Sequence, residues 1–316
     1  MTPPLVVGSA SRDVTSEDPR GWRLGGAAAY AGLALARLGL CPRVLLGVDP
    51  EAAAAEELGM LRDAGADLHL VRLEAGPVFE NRLTLEGRVQ TCIEPGRPLP
   101  AVVPVGWSDS TTWLFVPVAD ELPAAWAVLP PRAAFVALGW QGLLRDLPRG
   151  GVVGRRLPRR HPVLDRAGLV CVSREDVDPA TPIEDLATLL HPPATLVVTG
   201  GADGGTIWEL VPGEVARVRG FHATRPAAVV DPTGAGDTFL AGLVAAQLGH
   251  PLAASERRGA AVRLAAAVAS LSVEGTGLSG VPDQAAVAKR LGAWRGPSHG
   301  AGVESPVEAH TPDDAG

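Results

Sequence analysis

Short, continuous apolar runs recur along the chain at Leu5–Val7, Val44–Val48, Trp113–Val116, Ala134–Leu138, Leu169–Val172 and Leu196–Thr199. Runs this short and this rich in β-formers read as strands buried on both faces. The stretches between them hold helical patterns. An alanine-rich helix runs from Ala27 to Leu38 and is closed by Gly39, and a second is expected over Glu51–Ala64 before Gly65. Shorter or later helices are expected at Ile183–Leu190, from Gly236 to Leu248, and over Ser255–Leu271. Strands parted by helices predict a parallel sheet covered on both sides.

One region breaks the rhythm. Val78–Leu85 and Arg88–Ile93 flank Glu86-Gly87, and Phe79, Asn81, Leu83 and Leu85 alternate with Glu80, Arg82 and Thr84. Period two around an acid–glycine turn predicts a β-hairpin projecting from the main layer. A second hairpin is expected from Thr206–Glu209 and Val215–Val218. From residue 296 to the end Gly, Pro, Ser and acids dominate, which predicts a disordered tail over 296–316.

Composition then narrows the classes. With 316 residues, 46% hydrophobic and 20% charged, the chain can bury one sizeable α/β core. A net charge of −7 argues against sequence-independent nucleic-acid binding. The densest basic run, Arg155, Arg156, Arg159 and Arg160, is broken by Pro158 and reads as a solvated loop. Cys41, Cys92 and Cys171 lie far apart and form neither a metal motif nor a disulfide framework, which fits a reducing cytoplasm. There is no signal-peptide pattern, and the apolar stretches, interrupted by Arg37 and Arg263, are too short to span a membrane. The only lysine is Lys289, away from any glycine-rich turn. Walker-type loops, protein-kinase lysines and Schiff-base chemistry therefore lack their residue. Phosphate, if handled, falls to backbone amides, arginine or metal.

The segment Asp231-Pro232-Thr233-Gly234-Ala235-Gly236-Asp237-Thr238-Phe239 carries the strongest signal. It follows the apolar Ala227–Val230 and opens a helix with a buried stripe. Small residues at a helix N-terminus expose unpaired N–H groups at the positive end of the dipole, a ready anion site. A carboxylate at 237, expected to stay ionised beside that dipole, suits a general base taking a proton from an attacking hydroxyl. The competing reading is a plain helix cap.

This nine-residue segment closely resembles the second signature of the PfkB, or ribokinase-like, family of carbohydrate kinases. The resemblance implies that Asp237 is the catalytic base and that Gly234, Ala235 and Gly236 form the anion hole. It also implies a monovalent-cation (K⁺) site at Asp231 and Thr233. Other features fall in the family's order. Gly8-Ser9-Ala10-Ser11-Arg12-Asp13 resembles the first strand and its substrate-binding aspartate, and Gly25-Gly26 resembles the diglycine that contacts substrate. The family's asparagine four residues after the second glycine is replaced by Tyr30, which takes over that contact or redirects the substrate. Thr199, Gly201 and Gly204 match a nucleotide-binding turn. Where the family has N-x-x-E, this chain has Ser173 and Asp176, leaving Asp176 as the magnesium candidate. Gly275-Thr276-Gly277-Leu278-Ser279-Gly280 matches a dinucleotide pattern literally but follows a helix, so that reading fails its context.

The resemblance implies an α/β sandwich over residues 1–295, with a central, mostly parallel sheet, helices on both faces, and a small β lid formed in part by about 78–105. The implied activity is ATP-dependent phosphoryl transfer, with Mg²⁺, to a hydroxyl of a sugar or sugar-like molecule. In several family members lids pair between subunits, so a homodimer is the expected partner, with neither nucleic acid nor membrane. A nucleoside or inositol acceptor stays open, as does a non-catalytic sugar or nucleotide sensor.

Overall fold

The computed structural model describes residues 2–84, 87–253 and 259–293. The wholly buried β1 (Leu5–Ser9) leads directly into β2 (Ser11–Val14), and β3 (Trp22–Gly25) returns antiparallel to β2. Gly26, at φ 98°, then opens α1 (Ala27–Arg37), which is buried from Ala27 to Ala36. Its small side chains let it lie against the sheet. At Gly32 a Cβ would come within 2.8 Å of Val44 Cγ2. β4 (Arg43–Val48), α2 (Glu57–Asp63), β5 (Asp67–Arg72), β6 (Val78–Thr84) and β7 (Gly87–Glu94) follow. Next come β8 (Thr112–Phe115), β9 (Phe135–Gly139), β10 (Arg145–Asp146), β11 (Gly151–Val152), β12 (Gly154–Arg155) and β13 (Leu169–Ser173). The remainder is α3 (Ile183–Thr188), β14 (Ala194–Thr199), β15 (Gly205–Leu210), β16 (Arg217–Phe221), α4 (Ala235–Gln247), α5 (Ala260–Ser272) and α6 (Gln284–Ala293).

The main sheet has the order β16-β15-β14-β13-β9-β8-β1-β4-β5. From β14 to β5 every pair is parallel, and β15 and β16 extend one edge antiparallel. Strand order reverses at β1, which pairs β4 on one side and β8 on the other. Such a switch point places a crevice at the C-terminal ends of the strands.

One face of the sheet packs on α1, α4 and α5. At Gly242 of α4 a Cβ would meet Ala265 Cα of α5 at 2.6 Å, so the helices cross in near backbone contact. The other face carries α3 and short 3₁₀ turns, and Trp113, Trp126 and Trp140 fill its core. The helical cover expected on that side is present but short. Prolines crowd the connections there, and aromatic side chains replace helical bulk. The helix expected over Glu51–Ala64 also divides, into a 3₁₀ turn at Ala52–Ala54 and α2, because Ala55 adopts extended backbone at ψ 133°.

The hairpin expected at 78–93 exists as β6 and β7, with its tip at 85–86 outside the described residues. It belongs to a second, five-stranded sheet ordered β11-β7-β6-β2-β3. This sheet therefore includes residues 11–25, and no strand is assigned at 95–105. The second expected hairpin is β15 and β16. The helix expected from Ser255 is α5, and residues 254–258 and the tail from 294 lie outside the described residues. Among the described residues no helix is long and apolar enough to cross a membrane.

Candidate active site

A cleft of about 880 Å³ opens where the parallel strands end, with the second sheet beside it. Asp13, Gly26 and Tyr30 line it after β1 and β3, Gly139 after β9, Asp176 after β13, and Thr199 after β14. The turn Thr233–Asp237 lines it from α4. The sequence-predicted residues Gly201, Gly204, Gly234, Ala235 and Gly236 face the same space. Two predicted residues stand behind this wall. Gly25 backs Asp13, since a Cβ there would come within 2.4 Å of Asp13 Oδ2. Asp231 accepts the Thr233 amide at 2.9 Å on one oxygen and the Gly277 amide at 3.0 Å on the other. It thereby ties the α4 turn to the Gly275–Gly280 turn that had looked like a dinucleotide motif.

α4 is capped by Gly234 in the left-handed region at φ 79°, with no side-chain cap. Asp237, three residues on, is therefore not spent as a cap. The amides of Gly236 and Asp237 have no acceptor among the described residues. Gly234 is doubly required. Besides its positive φ, a Cβ there would sit 2.2 Å from Tyr30 Cδ1. Tyr30, 2% exposed, is thus the floor under the Gly234–Gly236 turn. Burial, reinforced by Asp13, Asp231 and Asp237, holds its phenol well above the ordinary range.

Asp237 itself departs from the expectation of a plainly ionised carboxylate. Desolvation pushes its pKa up to about 7; Asp176 and Asp13 add to the rise and Arg145 opposes it. The helix dipole does not outweigh desolvation and two neighbouring carboxylates. The same burial raises Asp176, against a 3.0 Å hydrogen bond from Gln141 Nε2 and the charge of Arg145. Asp231 goes the other way. Burial raises it, but the Thr233 and Gly277 hydrogen bonds win and its pKa is lowered.

In the Thr199–Gly204 turn, Gly204 has φ 88° and a Cβ there would strike the Phe221 carbonyl at 2.0 Å. Phe221 stacks on Phe239 of α4, with ring centroids 5.6 Å apart, and closes that end of the cleft. At the other end β6 and β7 supply Phe79 and Gln90, with Gln90 donating to Asn81 at 3.0 Å. Sequence reasoning missed Phe79, Gln90, Gln141, Arg145 and Arg155 as cleft residues. The basic run is not uniformly a solvated loop, since Arg155 reaches the cleft and Arg156 pairs with Asp120. Alternation along β6 put Phe79 on one face of the hairpin with Asn81 but did not say which face turns inward, and nothing local marked the others.

Glu121 underlies this wall. It is buried and accepts the amides of Ser9 at 2.9 Å, Val118 at 3.0 Å and Ala119 at 2.7 Å, joining the end of β1 to the loop after β8. Arg145 donates to the Val118 carbonyl of that loop at 3.1 Å.

Residues 167–284 match the pfkB family carbohydrate kinase profile. No curated protein matches the chain by sequence. Solved structures that resemble it include a pyrophosphate-dependent kinase in the ribokinase family complexed with a pyrophosphate analog and myo-inositol, at TM-score 0.68 and 17% identity over 92% of this chain and 99% of that one. A nucleoside kinase of Methanocaldococcus jannaschii gives 0.65 and 16%, covering 92% and 98%. Arabidopsis thaliana ribokinase, complexed with ribose and ATP, gives 0.64 and 19%, covering 92% and 99%. The chain thus has the ribokinase-like α/β fold, and its residues 167–284 carry the pfkB carbohydrate-kinase family match.

Proposed function

We propose that the protein is a kinase that transfers the γ-phosphoryl group of ATP to a hydroxyl of a sugar-like small molecule. One observation carries the reading. A carboxylate that does not cap its helix sits on the cleft wall beside two unpaired amides at the N-terminus of α4. Amides there would stabilise charge on the transferring group, and Asp237 would take the proton from the attacking hydroxyl. A pKa near 7 suits a base that must be free of its proton at neutral pH yet accept one in the transition state.

The acceptor is assigned to the end lined by Asp13, Gly26, Tyr30, Phe79 and Gln90. Asp13 is oriented by Ser11, whose hydroxyl donates to Oδ1 at 2.9 Å, and its oxygens would accept from acceptor hydroxyls. Tyr30 and Phe79, almost wholly buried, form the apolar floor of that end. The inositol and nucleoside kinases among the similar structures keep those acceptor classes beside simple sugars. The donor is assigned to the end containing Thr199, Gly201, Gly204 and Phe221.

Asp176 fits Mg²⁺ as a single carboxylate facing the donor, since that ion is commonly held by one or two carboxylates plus substrate phosphates. Bound there, it would neutralise charge on the phosphate chain. For a monovalent cation at Asp231 and Thr233, the lowered pKa keeps the carboxylate charged, but both its oxygens already accept amides. No step here requires that ion. Pairing of two chains through the second sheet is part of the same reading.

The test is a panel of sugars, inositols and nucleosides assayed for phosphorylated product with ATP and, separately, with pyrophosphate. Product from at least one polyol supports the reading. Tight binding of panel members without transfer from either donor favours a sensor instead.

A further inference from the structure

The cleft is rich in acid. Asp13, Glu175, Asp176 and Asp237 line it, and a polyanionic phosphate donor cannot settle among them without positive charge. The chain's one lysine is on α6, outside the cleft. Among the described residues that line the cleft, Arg145 and Arg155 are the only cationic side chains. They are directly opposed partners in the antiparallel β10–β12 ribbon. Opposed residues of such a pair project from one face, with side chains about 5 Å apart at their bases.

Like charges placed directly opposite are unfavourable. This pair is nonetheless aimed into the cleft and held there. Arg145 donates to the Val118 carbonyl at 3.1 Å and lies 5.4 Å from the centre of the Phe79 ring. Arg155 Nε donates to the Glu175 carbonyl at 2.7 Å, which places it next to Asp176. Its terminal nitrogens have no partner among the described residues. Charge from Arg145 reaches both Asp237 and Asp176, so the ribbon lies near both groups that would flank a transferring phosphoryl group.

We propose that Arg145 and Arg155 form a two-arginine clamp on the phosphate chain of the donor, the cationic part of the site that a lysine supplies in other phosphate-binding loops. The clamp rests on the kinase reading only for its ligand class, a phosphate chain. Planar guanidinium groups suit it because each can bind phosphate oxygens in a bidentate manner. The clamp also explains why a ribbon of two-residue strands sits at the cleft rim. It presents two charges without adding bulk.

The test is direct binding to the full-length chain by calorimetry, with MgATP and inorganic pyrophosphate as separate probes. Arg145→Gln and Arg155→Gln should each weaken the bound probe about tenfold or more. Arg145→Lys and Arg155→Lys should fall between. The salt dependence of binding should become shallower in the Gln variants. Arg156→Gln, whose ion pair with Asp120 lies outside the cleft, should bind as wild type. Loss confined to MgATP identifies a nucleotide donor, and loss confined to pyrophosphate identifies the smaller one. Wild-type affinity in both Gln variants overturns the clamp, and so does absence of binding of both probes to the wild-type chain. If Arg145→Gln fails to fold, Arg155→Gln and the lysine variants decide. Asp237→Asn removes a negative charge beside the phosphates and should bind the probe at least as tightly as wild type, so loss of transfer and loss of the clamp are separately visible.

Discussion

Asp237 shows how one side chain's surroundings set its chemistry. Half-buried on the cleft wall, desolvated and near Asp176 and Asp13, it holds its proton up to about pH 7. The rate of phosphoryl transfer should therefore rise with pH through about 7 and level off above it, read as kcat/KM across pH. The same shift has a cost in stability. The folded chain holds this proton to about pH 7, whereas an unfolded aspartate releases it near 4, so the folded state is penalised as pH rises between those values. Asp237→Asn should be no more stable than wild type below about pH 4. It should become more stable by on the order of 2–4 kcal/mol above pH 7, measured by denaturant unfolding without ligand. Gly234 makes the opposite kind of demand. Gly234→Ala meets both a positive φ and the Tyr30 ring, and should destabilise by about 1–3 kcal/mol in the same measurement. These features were legible to different degrees. The stretch from Asp231 to Phe239 could be read because turn, anion site and carboxylate are contiguous. The raised pKa could not, because it comes first from desolvation in the folded cleft and then from Asp176 and Asp13, which are distant in the chain.

Among the elements, α4 carries Asp237 and the turn proposed to hold the transferring group, so what positions α4 matters most. Its close crossing with α5 depends on Gly242 meeting Ala265. Gly242→Val should force the helices apart, cost about 1–3 kcal/mol, and weaken activity by moving the Gly234–Asp237 turn. Glu121 holds the other wall. Removing its carboxylate by Glu121→Leu strands three amides in a buried place and should cost about 3 kcal/mol or more in equilibrium unfolding. Strands of the parallel sheet were legible because each is a continuous apolar run. α2 was misjudged because alanines suit helix and 3₁₀ turn alike, and the break at Ala55 has no local mark. The β10–β12 ribbon was invisible for a stronger reason. Strands of two residues have no periodicity, and their pairing arises only from tertiary packing.

The whole molecule joins a parallel sheet to a smaller one through the short step from Ser9 to Ser11, with the cleft beside that step. Asp13 belongs to the smaller sheet and Asp237 to the larger layer, so bringing a hydroxyl to the base requires the two to be correctly apposed. That division was only partly legible, because the hairpin was visible but its union with residues 11–25 was not. The account rests on Asp237 taking the acceptor's proton. The measurement that tests it most directly compares turnover of wild type and Asp237→Asn, with the best acceptor and saturating donor, after confirming unchanged donor binding. The account predicts a loss of about 10²–10⁴-fold in kcat and disappearance of the rise near pH 7. Turnover within a few-fold of wild type, with the pH dependence intact, would contradict it.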